Sequence, residues 1–179
     1  MQKVITLVLE KIEAEEDQID RESIFQIAML LEKSNTITNE TYISLLPPEL
    51  LSVTLNDREQ QEIVKLLSTL TPNNSTNSLL FWTLGKAKPK FGIAPLLSLI
   101  HRFSNKFDDE AAYQAVIALD NFLIFNKFKE SKMMPEIVQS LKENDPRPFL
   151  YKVVNSNNFR LAEISQALLK KLELCFVER

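Results

Sequence analysis

The sequence predicts an all-α protein, and three observations carry that expectation. Apolar residues recur at helical spacing along most of the chain, glycine is almost absent, and no dipeptide suited to a tight β-hairpin occurs. Gly85 and Gly92 are the only glycines, against a usual content of about 7%. Asn-Gly and Asp-Gly, the favoured hairpin turns, are both missing. The 179 residues, 45% hydrophobic and 25% charged, suit one globular domain spanning 1–179.

Element by element, Ile5, Val8, Leu9 and Ile12 form the first apolar stripe. Ile24, Ile27, Ala28 and Leu31 form the second, with Asp20 or Ser23 placed to cap it. A shorter segment around Tyr42–Leu46 ends at Pro47, and Pro48 suits the first turn of a short helix through Leu50 and Leu51. Asn56 followed by Glu59 is a variant capping box that opens a helix with Ile63, Leu66, Leu67 and Leu70 on one stripe. The polar run 71–77 reverses the chain before a helix over Leu79–Ala87, and Pro89 and Gly92 mark the next reversal. Ile93, Leu96, Leu97 and Ile100 follow, with Pro95 expected in the first turn. Asp108 or Asp109 can cap a helix carrying Ala112, Ala115, Val116, Leu119 and Phe122. Met134, Ile137, Val138 and Leu141 mark another that Asp145-Pro146 ends; a short helix near Phe149–Val154 and a last one over Phe159–Phe176 complete nine or ten.

The residues that most enzyme chemistry needs are scarce. His101 is the only histidine, which excludes sites built on two imidazoles, and two glycines cannot make a phosphate-cradling loop. No catalytic, cofactor-binding or metal-binding residue is assigned. Asp108-Asp109-Glu110 reads as a helix start, because consecutive carboxylates on a helix face different ways. Cys175, the only cysteine, forms no disulfide within the chain and fits a reducing cytoplasm. No apolar run is long enough to cross a membrane, and the Val4–Leu9 stretch makes a poor secretion signal.

Glu62-Ile63-Val64-Lys65-Leu66-Leu67 and Glu136-Ile137-Val138-Gln139-Ser140-Leu141 share a pattern, with Ile93-Ala94-Pro95-Leu96-Leu97 between them. The spacing is uneven: Ile63 to Ile93 is 30 residues and Ile93 to Ile137 is 44, averaging 37, close to the roughly 40 to 47 of helix-pair repeats. From about Asn56 to Leu174 the chain thus resembles a degenerate HEAT/armadillo-like helical repeat, with Ile93–Phe103 and Asp108–Leu123 most like one unit. The resemblance implies a short right-handed α-solenoid, with residues 1–55 as an amino-terminal helical cap and 56–179 as repeats. An irregular helical bundle satisfies the same stripes.

Charge is uneven along the chain. Residues 1–62 hold five basic and thirteen acidic residues, a net −8, and the remainder sixteen basic and eleven acidic, a net +5, together the −3 of the whole. Glu13, Glu15, Glu16, Asp17, Asp20 and Glu22 are the densest acidic run, able to steer a basic partner. Trp82 with Lys86, Lys88 and Lys90 is the alternative, an aromatic and cationic cluster of the kind that binds phosphate backbones. The expectation is a cofactor-free protein-binding module. The resemblance extends by analogy to HEAT-like bacterial immunity proteins, implying a partner that is a basic toxin such as a nuclease, whose cleft the acidic half occludes. A nucleic-acid-binding protein and an adaptor subunit of a larger complex are the alternatives.

Overall fold

The computed structural model describes residues 21–35, 46, 48–69, 77–127 and 135–176. The expected segments over 5–12 and 42–45, the turn at 71–76, Leu70, Phe128 and Met134 lie outside them. Eight α-helices stand among the described residues: α1 (Arg21–Asn35), α2 (Asp57–Thr69), α3 (Asn77–Leu84), α4 (Pro89–Phe103), α5 (Asp109–Lys127), α6 (Pro135–Glu143), α7 (Arg147–Val154) and α8 (Phe159–Phe176). Short 3₁₀ turns occupy Pro48–Leu50 and Ser104–Lys106. No strand occurs among these residues, so the all-α expectation holds.

The starts follow from local chemistry. Ahead of α2, Asn56 Oδ1 accepts from the Glu59 amide at 2.9 Å, and Glu59 Oε1 accepts from the Asn56 amide at 3.1 Å, a reciprocal capping box. Asp108, rather than Asp109, caps α5 by accepting from the Ala111 amide at 2.8 Å. Asn158 does the same for α8, accepting from the Leu161 amide at 3.1 Å. Ser23 falls inside α1 and is buried, which leaves it too late in the helix to cap it.

Around residue 90 the structure departs from expectation. The reversal ends at Lys88, and α4 begins at Pro89, so Pro89 holds the first position and Pro95 lies in the interior. An interior proline removes one backbone hydrogen bond at roughly 3 kcal/mol, offset here by burial of Ile93, Leu96, Leu97, Leu99 and Ile100 on the same helix. Gly92 is not a chain reversal but a contact: a Cβ there would stand 2.5 Å from Phe122 Cζ and 3.2 Å from the Leu84 carbonyl oxygen. The residue is small because α4 crosses close to α3 and α5.

The helices sort into two rows, in which alternate helices pack more extensively than most consecutive ones. Row one is α1, α3, α5 and α8; row two is α2, α4 and α6. Within row one, and for α2 and α4 of row two, the helices run in the same direction. In row two, Asp57 at the start of α2 meets Lys88 just before α4 at 2.6 Å, and Ser68 near the end of α2 accepts from Arg102 near the end of α4 at 2.6 Å. In row one, Phe25 stacks on Trp82 and Glu32 reaches Lys86; further along, the Arg160 guanidinium lies over Tyr113 and Lys171 pairs with Asp120. Moving up one helix moves up its neighbour. From 57 to 89 and from 77 to 109 the offset between helix starts is 32 residues in both rows.

One apolar cluster runs through both rows from Ile24 to Leu172, with Phe81 and Phe122 among its largest fully buried side chains. The α3–α5 seam is close: a Cβ on Gly85 would lie 3.2 Å from Ala118 Cβ, and Ala111, Ala112 and Ala115 of the same helix are buried too. Edge-on rings Phe81, Phe107 and Phe149, with centroids 4.8 and 5.8 Å apart, tie α3 to the approach to α5 and to α7.

Candidate interaction surface

The ends of α1 and α3 and the start of α2 meet in a polar clasp. Asn35 Nδ2 donates to Gln60 Oε1 at 3.0 Å and Gln60 Nε2 donates to Asn35 Oδ1 at 2.7 Å, a two-way amide pair whose Gln60 member is 1% exposed. Asn35 Nδ2 also donates to the Lys86 carbonyl at 2.9 Å. Ser34 Oγ accepts from the Leu55 amide at 2.8 Å, and Lys33 donates to the carbonyls of Leu51 and Val53. These bonds satisfy carbonyls and amides where helices end, and they fix α1 on the α2–α3 pair.

The Trp82 and lysine cluster lies on top of this junction. Trp82 stacks on Phe25 with centroids 5.8 Å apart and planes 12° from parallel, and the Lys86 ammonium stands 4.8 Å from the indole centroid. Each lysine is engaged by a carboxylate from another helix: Lys86 by Glu32 at 3.5 Å, Lys88 by Asp57 at 2.6 Å, and Lys90 by the same Asp57 at 3.4 Å. The hydrogen bond from Lys88, with Lys90 behind it, holds the Asp57 carboxyl below its ordinary value. The structure thus pairs Trp82 with Lys86 and gathers Lys88 and Lys90 on one carboxylate, so that three ammonium groups are met by two carboxylates from within.

Of the acidic run, only Glu22 is described; it is exposed at the start of α1. Glu13, Glu15, Glu16, Asp17 and Asp20 lie outside the described residues. His101 and Asp109 are exposed, and the Cys175 side chain is outside the description. Among the described residues no group of three or more His, Cys, Asp or Glu is arranged to hold a metal ion, and no helix is long and apolar enough to cross a membrane.

The outward surfaces of the rows differ. On row one, Leu79 and Trp82 of α3 and Tyr113 and Ile117 of α5 are half-buried, with the uncharged Ser78, Gln114 and Asn121 between and beside them. On row two, the outward positions are Arg58, Gln61 and Lys65 of α2, Lys90, His101 and Arg102 of α4, and Glu136, Gln139 and Lys142 of α6. Periodicity identifies Trp82 as lying near Leu79 on α3, but nothing local in the sequence announces Phe25 as its stacking partner, or Glu32 and Asp57 as the partners of the lysines.

No family model matches the chain, and neither curated proteins nor solved structures yield a match.

Proposed function

We propose that this chain is a non-enzymatic, helix-pair-repeat protein that binds another protein, and that the partner is basic, in the manner of an immunity protein covering the cleft of a toxin such as a nuclease. The observation that carries this reading is the internal pairing of Lys86 with Glu32 and of Lys88 and Lys90 with Asp57, which offsets two of the three positive charges. A phosphate backbone would have to displace those carboxylates, which weakens the nucleic-acid alternative. The charge left in excess is the acidic run from Glu13 to Glu22, with only Lys3, Lys11 and Arg21 near it in sequence. Such a run steers a basic partner and raises its association rate. The two parallel rows support the solenoid form of the fold, in which stacked pairs present long continuous faces. A single cysteine suits a cytoplasmic setting.

Purification from the native host tests the reading. A small basic protein in stoichiometric amount, released when Glu13, Glu15, Glu16 and Asp17 are changed to lysine and inhibited while bound, is the expected result. Nucleic acid in its place would support the alternative class, and turnover of a small molecule by the pure chain would overturn the non-enzymatic reading.

A further inference from the structure

We propose that the outward face of α3 and α5, extended by Phe25 of α1, is the seat for a basic protein surface that also carries exposed apolar side chains; this rests on the protein-binding reading above and assigns it a face. Leu79 and Trp82, and Tyr113 and Ile117, lie at helical spacing on two helices packed closely enough that a Cβ on Gly85 would meet Ala118 at 3.2 Å. Their half-buried rings and aliphatic chains therefore form one patch. Trp82 and Ile117 are half-buried rather than buried, so each keeps part of its apolar surface in solvent. Lys86 and Arg160 stand over the Trp82 and Tyr113 rings, while the other polar side chains beside the patch, Ser78, Gln114 and Asn121, are uncharged; the exposed positions of row two include Arg58, Lys65, Lys90, Arg102, Glu136 and Lys142. Aromatic enrichment is the composition of an interface core. Trp82 is also already held by Phe25 and Lys86, so little side-chain freedom remains to be lost on binding.

Charge decides the kind of partner. Because the helices of row one run in the same direction, Glu22, Asp109, Glu110 and Glu163, all exposed, gather at one end. Among the described side chains of row one, a single cation stands with them, Arg160, and it lies over the Tyr113 ring. At the other end, Lys86 and Lys171 are taken up by Glu32 and Asp120. An apolar centre with an acidic margin complements a surface of basic and apolar side chains.

A Leu/Lys amphipathic helical peptide of about 14 residues is a suitable probe, titrated into the full chain while the emission of Trp82, the only tryptophan, is followed. Saturable binding with a shift of that emission is expected, absent for the same peptide with glutamate in place of lysine and for polylysine. Gln114→Lys and Ile117→Lys should each weaken binding by roughly 10-fold, with melting curves confirming the fold, while Lys65→Glu on row two should leave it unchanged. No saturable response to the Leu/Lys peptide, or unaltered binding by both α5 variants, would overturn the assignment. If the variant reversed at Glu13, Glu15, Glu16 and Asp17 loses the peptide while the α5 variants keep it, the basic-partner reading stands and this face is wrong. If none of the variants alters binding, both fall.

Discussion

The two rows of helices are built alike and finished differently. Each contains parallel helices sharing one apolar cluster, and the helix starts at 57 and 89 and at 77 and 109 are offset by the same 32 residues. Yet row one brings α3 onto α5 at Gly85 and Ala118 and carries half-buried aromatics outward, while row two buries Ile63, Leu67, Ile93 and Leu97 and carries charge outward. Packing partners are set by the inward stripe of each helix, so the outward stripe is free to differ. It differs most where α1, α3 and α5 meet.

Truncating the side chain that joins the rows should have the largest effect. Phe122 is 1% exposed and lies against Gly92, and Phe122→Ala should cost about 3–5 kcal/mol in denaturant unfolding. Phe159, 82% exposed at the start of α8, is the contrast, and its alanine variant should stay within about 0.5 kcal/mol of wild type. Gly92→Ala attacks the same seam from α4 and should cost roughly 1–3 kcal/mol through overpacking; combining it with Phe122→Leu should recover part of that loss. Gln60→Leu strands the amide of Asn35 and should cost about 1–3 kcal/mol, whereas the double change Asn35→Leu with Gln60→Leu should cost less than the two single losses added. Asn56→Ala removes the cap of α2, for about 1 kcal/mol.

The smallest effect is electrostatic. Asp57 is held below its ordinary carboxyl value by Lys88 and Lys90. Burial pushes Asp145 up, but the hydrogen bonds from Arg147 outweigh it and leave this carboxyl lowered as well. A carboxyl lowered in the folded state stabilises the fold fully above its ordinary value of 3.8 and loses that contribution as pH falls below it. Melting temperatures of wild type and of Asp145→Asn should therefore differ at about pH 6 and converge towards about pH 3.

Much of the fold was legible because its signals are local. The Asn56–Glu59 box and the Asp108 cap need only neighbours three residues away, and both form. Gly92 and Pro95 were misread for the opposite reason: the need for glycine comes from Phe122, 30 residues on, and local rules see only a chain breaker. The lysine cluster shows the same limit. Lys86, Lys88 and Lys90 are closely spaced and conspicuous, while the carboxylates that pair with them lie at 32 and 57 and are brought up by the stacking of α1 and α2. The acidic run is legible as charge alone, and only Glu22 can be placed on a helix.

Zero-length carbodiimide crosslinking of the native protein, read by mass spectrometry for links within one chain, tests the parallel rows most directly. Links from Glu32 to Lys86, from Asp57 to Lys88 or Lys90, and from Asp120 to Lys171 are expected, each joining neighbours within a row at matching heights. Links within one chain from Asp57 to Lys106, at the far end of α4, would contradict the architecture on which the binding face depends.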